Sequence, residues 1–273
     1  MTTTDSGSAR HPATVFTAGG VVGTLGGLIG LGGAEFRLPL LIGLFGFPAL
    51  EAVILNKAMS LIVVATALPF RAGVVPFAEI LAQWPVIANM LAGSLIGAWL
   101  GAGWAIGLRP EMLHRVIGIA LLCIALVLAF GHGLSGGGAM IASGMWHVVA
   151  GIVAGLVIGM VASLLGVAGG ELLIPVLILL FGVDVKLAGS LSLAISLPTM
   201  IAGFARYSRD SSFAVIGRHR RFVAIMALGS IAGTFVGGQL LGIVPDDVLL
   251  PILAIILILS ALKMLLHRPS AGH

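Results

Sequence analysis

From Val15 to about residue 266 the chain is a near-continuous succession of apolar segments, and this pattern decides most of what it can become. The segments fall at about 15–31, 37–47, 50–70, 80–107, 112–131, 147–167, 172–182, 187–205, 222–243 and 248–266. Most reach the ~20 residues that an α-helix needs to cross a hydrocarbon core. Charged residues make up only 9% of the chain, against roughly 25% in soluble domains, too few to cover a water-facing surface. Period-two alternation is missing, which removes a transmembrane β-barrel. The expected fold is an all-α polytopic membrane protein.

The remaining composition agrees. Cys123 is the only cysteine and lies in an apolar run, so no intramolecular disulfide forms. The net charge of +4 does not point to nucleic acid. Positive residues sit at the ends of apolar segments, as in orienting membrane proteins, and aromatics are few. Residues 1–14 are polar and expected to be a disordered tail, with 268–273 a second short tail. The apolar stretch from Val15 is Gly-rich and runs straight into a charged motif, so it is taken as part of the mature protein.

The chain also matches itself without a gap at an offset of 136 residues. GLIGLGGAEFRLPLLIGLFGF falls on SLLGVAGGELLIPVLILLFGV, so that Gly30 meets Gly166, Glu35 meets Glu171 and Pro39 meets Pro175. Between Gly19 and Ser60, 17 of 42 positions are identical. The expected organisation is a transmembrane repeat over 15–131, a Gly-rich linker over 132–146 and a second repeat over 147–267. Internal repeats with paired interruptions mark binding sites in secondary transporters. The loop 206–221 carries Arg206, Arg209, Arg218, Arg220 and Arg221 and is expected to face the cytoplasm. If each short segment folds back on its predecessor, the repeats are inverted, Arg10, Arg109 and Arg115 also lie inside, and both termini are cytoplasmic. If the two pieces make one broken crossing, the repeats are parallel; the charge count favours inversion.

The interrupted segments GLGGAEFRLP and GVAGGELLIP carry the functional argument. Their glycines hold a helix poorly, and the proline four residues after each glutamate suits the first turn of a new helix, expected to restart at about 36 and 172. Unwound chain inside a membrane is buried in protein or lines a cavity. The restarted helix offers unpaired N–H groups and a positive dipole end, which suit an anion. Gly32, Gly33, Gly169 and Gly170 are therefore candidate anion-binding backbone; close helix packing is the plainer alternative.

Glu35 and Glu171 are expensive in a bilayer unless paired, hydrated or protonated. They are candidates for proton coupling, or alternatively compensate the local N–H groups, with Glu35 also neutralised by Arg37. Lys57, in an otherwise spanning helix, is a candidate anion contact; the alternative is a side chain snorkelling to the interface. Asn56, Lys57 and Ser60 from one half face Ser190, Ser192 and Ser196 from the other as a candidate polar lining, although membrane serines often bond back to their own helix. Glycine ladders at Gly93/Gly97/Gly101, Gly151/Gly155/Gly159 and Gly229/Gly233/Gly237 allow close helix approach within one chain or between copies, so a homo-oligomer is compatible.

Two motif matches are set aside. GLIGLGG has no preceding strand, and HGLSGGG around Ser135 lacks a mid-helix histidine to act as base. No G-x-x-x-x-G-K-[ST] loop is present, and neither a metal nor a cofactor is expected.

Paired G-x-G-G-x-x-x-x-P-type segments, each followed by a short apolar run and a helix starting near L-N-K-A or A-G-S-L-S, resemble the TauE/SafE sulfite-exporter family, also called the toluene-sulfonate uptake permease family. The resemblance covers roughly residues 15–266. Its glycine-rich motif falls on Gly30, Gly32, Gly33 and Pro39 and on Gly166, Gly169, Gly170 and Pro175. The family's small-polar helix start falls on Gly189–Ser190–Leu191, and an N-K variant on Asn56–Lys57. Ala168 replaces a motif glycine, and the threonine of G-T-S-L is missing. The resemblance implies a duplicated bacterial inner-membrane permease for sulfite, sulfoacetate or other organosulfonates. An anion channel is the first alternative and an intramembrane serine hydrolase the second.

Overall fold

The computed structural model describes residues 11–29, 33–71, 75–109 and 145–240, with scattered positions within 111–122 and 258–262. Most of these residues are helical, with no strand among them. The helices are α1 (Pro12–Ile29), α2 (Ala34–Gly43), α3 (Ala49–Arg71), α4 (Phe77–Ala82), α5 (Trp84–Gly107), α6 (Met145–Leu165), α7 (Gly170–Phe181), α8 (Val185–Tyr207), α9 (Val215–Arg218) and α10 (Arg220–Leu240). Among the described residues, five of them (α3, α5, α6, α8 and α10) contain stretches long and apolar enough to cross a membrane.

Three boundaries differ from the sequence expectation. The short helices restart at Ala34 and Gly170, two residues earlier than expected, because Gly33 and Gly169 act as N-caps. Both are in the left-handed region, at φ 67° and 81°, which only glycine enters at little cost. Pro39 therefore lies inside α2 rather than in its first turn. The segment 80–107 breaks at Gln83, where α4 ends and α5 begins with a proline in its first turn. The basic stretch 206–221 is folded, not a bare loop: Asp210 accepts a hydrogen bond from the Ser212 N–H (2.8 Å) and caps a 3₁₀ turn at Ser211–Ala214 that leads into α9. The apolar segments 112–131 and 248–266 fall largely outside the described residues, as does most of the linker 132–146.

Glycine sets the helix pairing. α1 packs against α10, with Gly19 over the Met226 carbonyl, Gly23 over Ser230 and Gly27 over Thr234, while Gly229 and Gly233 meet the backbone at Phe16 and Gly20. α5 packs against α6 in the same way, Gly93, Gly97 and Gly101 meeting Ile152, Leu156 and Met160. Gly155 and Gly159 reciprocate against Met90 and Ser94. Residue numbers rise together along both contacts, so each pair runs parallel. At every one of these positions a Cβ would collide with backbone, which is how small residues let membrane helices approach. Two of the expected ladders thus face each other across α5 and α6; the third faces Gly19/Gly23/Gly27, a ladder the sequence reading did not single out.

Contacts near residues 206–221 give the helix directions. Glu51, in the first turn of α3, pairs with Arg218 at 2.6 Å, and Phe47 stacks edge-on against His219 (5.1 Å between ring centres). Pro12 and Val15 at the start of α1 lie beside Arg218–Phe222. Arg209 and Arg206 sit over the Trp99 ring at 4.9 and 5.7 Å, which brings the second half of α5 to this basic end. Hence α1, α3 and α10 leave the basic end, while α5, α6 and α8 arrive there. Arg109 follows α5 and so shares that end.

The two short helices fold back on their predecessors. The start of α2 lies against Val22 in the middle of α1, and Phe45, just past the end of α2, meets Phe222 at the basic end. At the opposite end, the His147 Nε2 lies 2.6 Å from the Leu180 carbonyl and the His147 ring packs on Phe181, joining the end of α7 to the start of α6. Helices 136 residues apart therefore run in opposite directions; α3 and α8 correspond residue for residue, 49–71 against 185–207. The dense pairs also cross the two halves of the sequence. α10 completes a group with α1, α2 and α3, and α5 completes a group with α6, α7 and α8, the two groups meeting mainly along α3 and α8.

Candidate functional site

The two interruptions come together on one side chain. Asn56 of α3 donates from Nδ2 to the Ala34 carbonyl at the start of α2 (2.9 Å) and to the Leu165 carbonyl at the end of α6 (3.3 Å). These are carbonyls at the edges of the two breaks. Gly166, which turns the chain out of α6 at φ 65°, sits against the Val53 backbone one turn earlier on α3. One helix thus receives both discontinuities.

Neither short helix has a side-chain cap on its first N–H groups, because Gly33 and Gly169 offer none. An α-helix leaves its first four N–H groups without intrahelical partners, and the dipole there is positive. Proline at 39 also has no N–H for the carbonyl four residues back, so the backbone at Glu35 loses a helical bond. Glu35 and Glu171 occupy the first turns of α2 and α7. Gly30 and Gly32 lie outside the described residues, as do the side chains of Glu35, Glu171 and Pro175.

Two cations sit on this framework, both fully buried. Arg37 of α2 donates from Nη1 to Ser60 Oγ (3.0 Å) and Asn56 Oδ1 (3.4 Å) of α3, and from Nη2 to Ser230 Oγ (3.2 Å) of α10. It therefore ties three helices together. Sequence reasoning considered Arg37 only as a neutraliser for Glu35 and missed this role. A charged residue at that depth was the available signal. A buried ion costs several kcal/mol in desolvation, so hydrogen bonds must satisfy its donors. A Ser230→Ala protein is expected to lose about 1.5–3 kcal/mol of stability, the usual value of a bond to a charged group. Thermal unfolding in detergent would show it as a lowered midpoint, while the exposed Ser208→Ala change leaves the midpoint unmoved.

Lys57 is fully buried, so it does not snorkel to an interface. Its Nζ donates to Ser163 Oγ of α6 at 3.1 Å. Gly203 of α8 makes room for it: a Cβ there would lie 2.8 Å from Lys57 Cε and 2.5 Å from Ser163 Oγ. Tyr207, also fully buried, donates to the Ser163 carbonyl at 2.8 Å and closes this corner toward the basic end. Ser163 and Tyr207 were not among the sequence candidates. Nothing in local spacing places a residue from each of α6 and α8 against Lys57.

The second half contributes hydroxyls without charge. Ser196 donates to the Ala168 carbonyl inside the second break (2.7 Å). Ser192 bonds back to the Gly189 carbonyl of its own helix (2.8 Å), the plainer of the two roles expected for a membrane serine. Ser190 is buried beside them. The positions one offset from Arg37 and Lys57 are Leu173 and Leu193, both buried. The positive charge of the described cluster comes from the first half alone. Asn56, Lys57, Ser60, Ser190, Ser192 and Ser196 are each no more than 1% exposed, so the cluster is shielded from solvent in this conformation. Ser135 falls outside the described residues.

The fold and site define a polytopic helical membrane protein with two fold-back helices meeting at a buried polar centre. The sequence profile of the sulfite exporter TauE/SafE family matches residues 2–128 and 150–273, nearly the whole chain. The chain belongs to that family and is a multi-pass membrane transporter. No curated protein and no solved structure matches it.

Proposed function

We propose that the protein moves small anions, such as sulfite, sulfoacetate or other organosulfonates, across the bacterial inner membrane by alternating access. The observation that carries this reading is the convergence on Asn56 of the uncapped start of α2 and the end of α6, where the second break begins, next to buried Lys57. The anion binds against the N–H groups after Gly33 and Gly169, with Lys57 supplying charge and Ser60 and Ser196 supplying hydroxyls. Sites of this kind, at interrupted helices, recur in transporters built from repeats. The opposed directions of helices 136 residues apart support an inverted duplication, with the basic end and both termini cytoplasmic.

The moving units are the two helix groups rather than the two halves of the sequence. Each connection between groups, 71–84 and 207–220, includes a short helical piece and a break, suited to absorbing rotation while α3 and α8 slide. Glu35 or Glu171, each in the first turn of a fold-back helix, exchanges the coupling proton with an anion that cannot share the site with a carboxylate.

Purified protein in proteoliposomes is the test. Labelled sulfite or a small sulfonate is expected to enter with saturable kinetics and to accumulate against its gradient when a pH gradient is imposed. Unsaturable flux without accumulation would identify a channel instead. Saturable flux indifferent to the pH gradient would remove the proton step alone. The solvent-shielded cluster in this conformation favours a carrier over an open pore.

A further inference from the structure

A groove of about 410 Å³ opens at the basic end between the starts of α1 and α10, away from the buried cluster. This lies within the ~300–1,000 Å³ typical of small-ligand sites. Its walls are of two kinds. Phe222 and Ile225, both half-buried, give an apolar side, and Arg218, Arg220 and Arg221 give a cationic rim. The rim charge is unevenly met. Arg218 is held by Glu51 at 2.6 Å, whereas Arg220 and Arg221 are exposed and have no ion-pair partner among the described residues. They also occupy the first turn of α10, the positive end of a 21-residue helix, where cations are disfavoured. Neither α1 nor α10 carries an acidic residue in its first turn. The two exposed arginines thus remain available to an anion from outside the described residues.

We propose that the groove is a binding site for the headgroup of an anionic phospholipid, the phosphate lying between Arg220 and Arg221 and the first acyl carbons against Phe222 and Ile225. The apolar wall selects a lipid over a free phosphate, since a hydrophilic ion gains nothing from Phe222 or Ile225. Basic pockets between transmembrane helices bind anionic headgroups by this combination of charge and apolar contact. The proposal does not depend on which anion is transported.

The test uses the full-length protein in a neutral detergent. Thermal unfolding is followed while dioleoyl phosphatidylglycerol, dioleoyl phosphatidylcholine or inorganic phosphate is titrated in, and bound lipid is counted by native mass spectrometry. Phosphatidylglycerol is expected to raise the midpoint saturably and to leave a retained adduct, while phosphatidylcholine and phosphate do neither. Arg220→Gln and Arg221→Gln are each expected to weaken phosphatidylglycerol binding roughly fivefold, and together roughly 25-fold. Should the double variant fold poorly, the two single variants carry the comparison. Equal stabilisation by phosphatidylcholine, a full effect from phosphate alone, or variants that bind phosphatidylglycerol as tightly as the parent would each overturn the assignment.

Discussion

A Lys57→Met protein is expected to fold at least as stably as the parent and to lose nearly all anion transport. The two effects have opposite signs, which separates a role in binding from a role in folding. Lys57 is fully buried, and its partner among the described residues is the neutral hydroxyl of Ser163. A bond to a charged group returns about 1.5–3 kcal/mol, while the effective desolvation cost of an ammonium is several kcal/mol. Methionine fills a similar volume without the charge, and such swaps are often neutral or stabilising. Losing one charge from a desolvated anion contact costs about 2–5 kcal/mol, which is roughly 30-fold or more in affinity. Flux into proteoliposomes and thermal unfolding would be measured on one preparation. Parental flux would sink the anion role of Lys57, and a collapse of the midpoint would make it a structural residue.

The second large effect is expected at the α5–α6 contact. Gly97→Ala should lower the unfolding midpoint clearly, and Gly107→Ala on the same helix should leave it unchanged or slightly raised. A Cβ at Gly97 would run into the Leu156 carbonyl, whereas one at Gly107 meets nothing within 4 Å. Overpacking usually costs about 1–3 kcal/mol. Here the obstructing atom is backbone, so no side chain can turn aside and the helices must part. Alanine improves helix propensity by roughly 0.5–1 kcal/mol at both places, so the comparison isolates the contact. Equal midpoints for the two variants would show that α5 and α6 are not this close.

Much of this arrangement was legible in the residues themselves. Apolar runs gave the all-α membrane class, and paired glycine, acid and proline located both interruptions to within two residues. The error in where the helices restart has a simple cause. Proline is common in a first turn, but glycine in the left-handed region starts a helix sooner, as Gly33 and Gly169 do. The polar candidates Asn56, Lys57, Ser60, Ser190, Ser192 and Ser196 are all buried, and Asn56 and Lys57 each reach another helix.

What the residues did not disclose was partnership. Arg37 finds Ser230 across 193 positions, and Tyr207 finds Ser163, through contacts that no local period encodes. The ladder at Gly19, Gly23 and Gly27 was obscured by adjoining glycines at 20 and 26, which blur its four-residue pitch. The basic stretch after α8 looked like loop because arginines dominate it, yet Asp210 and the buried Val215 are enough to fold it.

The crosswise pairing of α1 with α10 and of α5 with α6 has a consequence for how such a chain can change over generations. Each half lends a long helix, α5 or α10, to the other, like two hands clasped with one finger exchanged. A half made alone would keep one flank of naked glycine-lined backbone, and the helix it lends would lose the partner it packs on. Drift in either loaned helix is therefore judged by the half that receives it, which binds the two to a shared history.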